Sequence, residues 1–211
     1  MNAKRAIRAT PRRRTLLDAA LTVFVRYGYQ KTSMEEVARA AQVSRQSLYL
    51  HFSTKEELFQ AAVRNTLGNS SSAAIAALSD ASLPLGQRLV RAFDEWLGRY
   101  IGMMGGNAPD LIEATARLSA PVIAQYEEAF AEAVGKAIRA SRLLAAYKSS
   151  GITARQLTDT LLATARGLKH ISKSRDEFVQ GFSIAVKVLC APLRDSMTQS
   201  RTRRLPAGTL T

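Results

Sequence analysis

Arg45, Gln46, Ser47 and Tyr49 stand together in the segment SRQSLYLHF and offer a guanidinium fork, an amide, a hydroxyl and a phenol, with no acid among them. A fork can pair with O6 and N7 of guanine, and an amide with N6 and N7 of adenine. Side chains of this kind read base edges in a duplex groove, provided a rigid backbone holds them on one face. A helix supplies that face if Leu48 and Phe52, four apart, turn inward while Val43 closes the corner. Ser44 is a suitable N-cap for it, and the helix should run through Leu50. Ser47 can serve a base or a phosphate, whereas Tyr49 and His51 suit phosphates, sugars and thymine methyl groups.

A second helix must brace the first. Met34, Val37, Ala38 and Ala41 recur at helical spacing, and Ser33 with Glu36 completes a capping box at its start. Upstream, Thr10-Pro11 is a cap followed by proline at the first helical position, and Leu16, Leu17, Ala20, Phe24 and Tyr27 form one stripe ending at Gly28. Downstream, Ser53 with Glu56 reads as another capping box. Helix, tight turn, helix is the helix-turn-helix plan. Thr32 or Ser33 at one helix start, and Lys55 at another, combine helix-end amides with phosphate-seeking groups. The DNA-contacting set read from the sequence is therefore Thr32, Ser33, Ser44, Arg45, Gln46, Ser47, Tyr49, His51 and Lys55.

TSMEEVARAAQVSRQSLYLHFSTKEELF, preceded by LLDAALTVFVRYGY, resembles the DNA-binding domain of the tetracycline-repressor (TetR) family of bacterial transcription regulators. Phe24 and Gly28, Thr32-Ser33, Val43-Ser44, Leu48-Tyr49, His51-Phe52 and Lys55-Glu56 carry the likeness. One departure is Gln42, where the family usually has glycine, suited to the left-handed backbone of a tight turn. The resemblance implies an all-α protein with a three-helix DNA-binding domain, a helical ligand-binding and dimerisation domain, and about nine helices in all. The expected organisation is a basic disordered arm (1–10), a DNA-binding domain (11–54), a helical second domain (55–198) and a basic tail (199–211).

In the second domain, Gly68 to Ser72 should interrupt a helix before Ala73 to Leu78 resumes it. Leu85, Leu89, Phe93, Trp96 or Leu97, Tyr100 and Met104 mark the next helix, broken by Gly105, Gly106, Asn107 and Pro109. A short helix over Asp110 to Leu118 precedes a long one opened by Pro121, and two further helices cover Thr153 to Ser172 and Ser174 to Leu193. Leu157, Leu161, Leu168 and Ile171, with Phe178, Phe182, Val186 and Leu189, exceed what a thin terminal layer could bury, so they are the expected homodimer interface. Two-fold symmetry would set two reading helices roughly 34–36 Å apart on a palindromic operator. The resemblance also implies a small-molecule inducer of unknown identity, for which Trp96, Tyr100, Met103, Met104, Tyr126 and Phe130 offer an apolar lining, with Glu113 and Arg117, four apart, as either an exposed pair or polar anchors at the pocket mouth.

Composition bounds the alternatives. The net charge is +13, and residues 1–66 hold 12 Lys/Arg against 5 Asp/Glu, so the basic excess concentrates around the reading helix. Lys4, Arg5, Arg8, Arg12, Arg13 and Arg14 form an acid-free arm able to follow a phosphate backbone or enter a minor groove. No run of eighteen or more apolar residues occurs, so no membrane span is expected. Cys190, alone, suits a reducing bacterial cytoplasm. Two histidines and one cysteine are too few for a zinc finger, and no metal or cofactor is expected. Cys190 in VKVLCAP reads as a buried hydrophobe, and GMMGGN lacks the Lys-Ser/Thr of a phosphate loop. An enzyme is not expected. The reading is a DNA-binding regulator, a repressor by family habit; the alternative is a non-specific, basic, DNA-packing protein.

Overall fold

The computed structural model describes residues 11–102 and 108–202, with side chains for 13–102 and 109–193. The basic arm (1–10), the pocket candidates Met103 and Met104, and residues 203–211 of the tail lie outside these. The described residues form nine α-helices and two 3-10 turns, with no strand among them. They divide into two compact units, Met1–Ser70 with Gly102–Glu127, and Ser71–Ile101 with Glu128–Thr211.

The first unit holds α1 (Pro11–Tyr27), α2 (Met34–Ala40), α3 (Arg45–His51) and the starts of α4 (Lys55–Ser79) and α6 (Ala108–Arg139). Its core gathers Leu16, Leu17, Ala20 and Phe24 of α1, Met34 and Val37 of α2, and Leu48 and Phe52 around α3. Leu58, Phe59 and Ala62 of α4 and Leu111 and Ala114 of α6 lie in that same core. This is why the compact unit extends past the expected boundary at 54 and recruits a segment distant in sequence. Phe59 sets its ring edge-on to both Phe24 (5.0 Å) and Tyr29 (5.1 Å). Tyr27, expected in the α1 stripe, is exposed, and Tyr29 is buried instead. Gly28, at φ 86°, turns the chain between them.

Two helices here differ from the sequence reading. The Gly68–Ser72 stretch does not interrupt α4, which runs unbroken for 25 residues. A Cβ on Gly68 would lie 3.2 Å from the Tyr126 hydroxyl, and Ser70 and Ser71 are buried, so small residues here serve close packing. Pro121 does not open a helix; it sits inside α6, a single helix of 32 residues. Proline removes one helical hydrogen bond, and in the preceding turn the Gln60 side-chain amide donates to the Leu118 carbonyl at 2.9 Å. At the start of α4 the cap shifts by one: Thr54 Oγ1 accepts from the Glu57 N–H, and Ser53 N–H donates to Glu57 Oε2.

The second unit contains α5 (Leu85–Trp96), α7 (Leu143–Ala146), α8 (Ala154–Ile171) and α9 (Arg175–Thr202), with 3-10 turns at Gly98–Tyr100 and Lys148–Ser150. α5 stops earlier than its apolar stripe suggested. Arg175 clamps Asp94 with two hydrogen bonds of 2.7 and 2.8 Å, and any side chain on Gly98 would collide with that carboxylate. Phe93 lies at the centre, 5.0 Å from Phe130 and 4.4 Å from Phe182, with Trp96 stacked 4.9 Å from Phe130.

This core consumes most of the expected dimer interface. Phe178, Phe182, Val186 and Leu189 of α9 and Leu157 and Leu161 of α8 are buried within the chain, and Leu168 is half-buried. Of the expected set only Ile171, 72% exposed, faces outward. α9 also turns out Ile184 (62% exposed) and Val188 (69%), four residues apart. Sequence periodicity found the apolar stripe, but a stripe shows only that one face is buried, not what covers it.

Candidate nucleic-acid interface

The reading helix begins at its cap. Ser44 is extended (φ −69°, ψ 149°), and its hydroxyl accepts from the Ser47 N–H at 3.1 Å. Leu48 is fully buried and Phe52 nearly so, which fixes the rotation of α3 about its axis. Arg45, Gln46, Tyr49, Leu50 and His51 are consequently exposed, and Ser47 is half-buried. Leu50 is 79% exposed and was not among the sequence-derived candidates. Its position two residues from the buried Leu48 was the available signal, and an outward leucine can meet a thymine methyl group. Beside this face, the Arg13 guanidinium lies 5.5 Å from the Phe52 ring centroid, setting a cation at the α1 end of the surface.

The tight turn preceding α3 rests on Gln42, the one described non-glycine residue with positive φ, at 55°. Val43 N–H donates to the Ala38 carbonyl at 3.0 Å, closing the corner. The departure from the family's glycine is thus met by strain rather than by a wider turn.

Two candidates turn out to be structural. Thr32 is 2% exposed, and its hydroxyl donates to the Gly28 carbonyl at 2.6 Å, so its side chain holds the α1–α2 turn and is withdrawn from any DNA surface. Ser33 is half-buried in the capping box: its hydroxyl accepts from Glu36 N–H (3.2 Å) and donates to Glu36 Oε2 (2.9 Å), which also accepts from Ser33 N–H (2.7 Å). The Ser33 backbone bond, followed by its hydroxyl, lowers the Glu36 carboxyl below the usual range.

Lys55 also has internal partners. Its Nζ donates to the carbonyls of Tyr29 (3.0 Å) and Gln30 (3.2 Å) and sits 4.6 Å from the Tyr29 ring centroid. Tyr29 in turn donates its hydroxyl to Glu56 Oε1 at 2.9 Å. Burial first, and the Glu56 carboxylate second, push the phenol up to about 12. From α6, Arg117 stands 5.9 Å from the same ring and Asp110 Oδ2 accepts from Gln30 N–H at 3.0 Å. The turn before α2 is therefore pinned by both α4 and α6. Sequence reading missed the contacts that join Tyr29 to Glu56 and Gln30 to Asp110, because nothing local signals contacts across 27 or 80 residues.

The pocket candidates are divided between the two units. Trp96 and Phe130 are packed core of the second unit and Tyr100 is half-buried there, whereas Glu113, Arg117 and Tyr126 belong to the first unit. Arg117 faces Tyr29 rather than a pocket mouth. Two clefts of the second unit lie elsewhere. One, of about 580 Å³, is lined by Leu85, Val90, Arg91, Val186, Lys187 and Cys190; the other, of about 390 Å³, by Ile75, Arg88, Glu132 and Lys136 among others. No cluster of metal-ligating side chains occurs among the described residues, and no described helix is long and apolar enough to cross a membrane.

Comparison with known proteins falls on the same helices. Residues 16–62 match the family described as bacterial regulatory proteins, tetR family. The A-factor receptor protein of Streptomyces griseus is 44% identical over 54 residues, 26% of this chain and 20% of that protein. The HTH-type transcriptional regulator BetI of Rhizobium meliloti is 40% identical over 73 residues, 35% of this chain and 36% of its own. The chain thus spans between a fifth and about a third of these two relatives' lengths. A crystal structure described as a putative TetR-family transcriptional regulator from Mesorhizobium loti shares the fold, with a TM-score of 0.64, 20% identity and coverage of 87% of this chain and 97% of that one.

Proposed function

We propose that the chain, whose residues 16–62 match the family described as bacterial regulatory proteins, tetR family, is a sequence-specific DNA-binding transcriptional regulator of that family acting as a homodimer. One observation carries the reading: α3, anchored by Leu48 and Phe52, turns Arg45, Gln46, Tyr49, Leu50 and His51 outward on one exposed face. Arg45 would fork onto guanine and Gln46 onto adenine, with Ser47 reaching a base or phosphate and Tyr49 and His51 fixing register on the backbone. The basic residues around the motif add sequence-independent attraction through counterion release.

The homodimer forms through the outward residues Ile171, Ile184 and Val188 of α8 and α9. Its two-fold axis would present two α3 helices to successive major grooves of a palindromic operator in the bacterial cytoplasm. A small-molecule inducer acts by binding better to a conformer whose reading helices are wrongly spaced, so that affinity for DNA falls by its differential binding. By family habit the regulator is a repressor.

Selection of bound fragments from random DNA tests this reading. The expected product is an inverted repeat with half-sites about one helical turn apart. Equal retention of every duplex would replace it with the non-specific, DNA-packing alternative that the net charge of +13 also accommodates.

A further inference from the structure

Arg45 opens α3, where the positive end of the helix dipole disfavours a cation. Its guanidinium is nevertheless held. Nη1 lies 2.8 Å from Oε1 of Glu35, in the first turn of α2, and the guanidinium carbon lies 5.5 Å from the Tyr49 ring centroid. Ordering a long, exposed arginine at the moment of binding would cost rotamer entropy, and these two contacts meet part of that cost in the free protein.

The geometry of the pair decides which DNA contacts remain open. The carboxylate engages Nη1, which leaves the Nε/Nη2 edge with two parallel N–H bonds, the fork that guanine O6 and N7 accept. A phosphate requires no particular edge. To take one on that free edge, Arg45 would bring a phosphate's negative charge beside the Glu35 carboxylate, a repulsion that the uncharged O6 and N7 of guanine do not meet. An acid on the first turn of α2 is therefore a liability on random duplex and costs little on a site with guanine at the right place.

We propose that Glu35 is a positioning residue for Arg45: it holds the guanidinium with its fork outward for guanine and penalises its capture by phosphates. It thereby sets the ratio of specific to non-specific binding rather than overall strength. This rests on the reading of α3 as the base-reading helix.

The test uses the full chain, a duplex recovered by selection with the unaltered protein, and a random duplex, at one fixed salt concentration. Glu35→Gln should narrow the selected-to-random affinity ratio by about two- to fivefold, the range of an exposed ion pair, with preference relaxed at a single base pair. Glu35→Asp keeps the charge but loses reach, and should narrow the ratio too. In an Arg45→Ala background, Glu35→Gln should leave the ratio unchanged. The capping box uses Glu36, so the single variants should unfold at the midpoint of the parent. If Glu35→Gln tightens both duplexes equally in both backgrounds while Glu35→Asp matches the parent, Glu35 is a bare charge and the proposal is overturned. If the unaltered protein recovers no preferred duplex, the base-reading premise fails and the proposal falls with it; the two failures differ in whether the parent discriminates at all.

Discussion

The Tyr29 hydroxyl donates to Glu56 Oε1 at 2.9 Å, tying the turn after α1 to the first turn of α4 across 27 residues of chain. The phenol is buried and its pKa is raised from 10.0 to about 12, so the folded protein holds that proton more tightly than the unfolded chain does. Its contribution to stability is therefore complete below pH 10 and is lost as pH rises towards about 12. Tyr29→Phe should cost about 1 kcal/mol at neutral pH. Its denaturation midpoint should also fall less steeply between pH 10 and 12 than the parent's. Parallel curves over that window would mean the phenol titrates alike in both states.

Lys55 sends Nζ to the carbonyls of Tyr29 and Gln30. From sequence alone, Lys55→Ala should weaken binding to all DNA and flatten its salt dependence. From the structure it should instead destabilise the fold by about 1 kcal/mol and leave the salt slope unchanged. Chemical denaturation and a salt titration of DNA affinity separate the two; a slope reduced by about one would restore the phosphate role.

Thr32 and Gln46 should behave as opposites. Thr32→Val removes a buried 2.6 Å hydrogen bond and leaves the Gly28 carbonyl without that partner, at about 1–2 kcal/mol of stability. Base preference should stay intact in the folded fraction. Gln46→Ala touches only an exposed side chain, so the unfolding midpoint should hold while one base position loses about 1–3 kcal/mol of discrimination.

Gln42→Gly should stabilise the protein. A left-handed backbone at φ 55° costs a side-chain-bearing residue about 1–2 kcal/mol, and the extra freedom of glycine in the unfolded chain returns part of it. The net gain expected from urea denaturation is about 0.5–1 kcal/mol. A loss would mean the exposed Gln42 side chain contributes a contact of its own.

On α9, Ile184→Asp and Phe182→Ala report different things. Phe182 is fully buried beside Phe93, so its truncation should cost about 3–5 kcal/mol. Ile184 is exposed in the single chain, so Ile184→Asp should leave the secondary structure intact while sedimentation shifts from dimer to monomer. A dimer that survives both Ile184→Asp and Val188→Asp would place the subunit contact on another surface.

Much of the reading motif is written locally. Ser33, Glu36, Ser44, Leu48 and Phe52 state their roles within a few residues, because caps and helical spacing act over one or two turns. The all-α class and the order of the first helices follow from the same short-range physics. Distant partners carry no such mark. Gly68 and Pro121 look like breaks, yet each lies inside a long helix, Gly68 packed against Tyr126 and Pro121 one turn beyond the carbonyl that Gln60 reaches.

By itself, then, the chain determined that Leu48 and Phe52 share the inner side of a helix, with Arg45 and Tyr49 on its flank and Gln46 on the far side, since 3.6 residues per turn fixes those directions. Only the tertiary structure decided what each apolar stripe packs against. It took Phe178 and Phe182 into the chain's own core and turned Ile184 and Val188 outward. It also gave Thr32 and Lys55 to the α1–α2 turn and brought Glu35 to Arg45. Periodicity specifies a buried face but not its cover, and long-range partners are chosen by packing the whole chain at once.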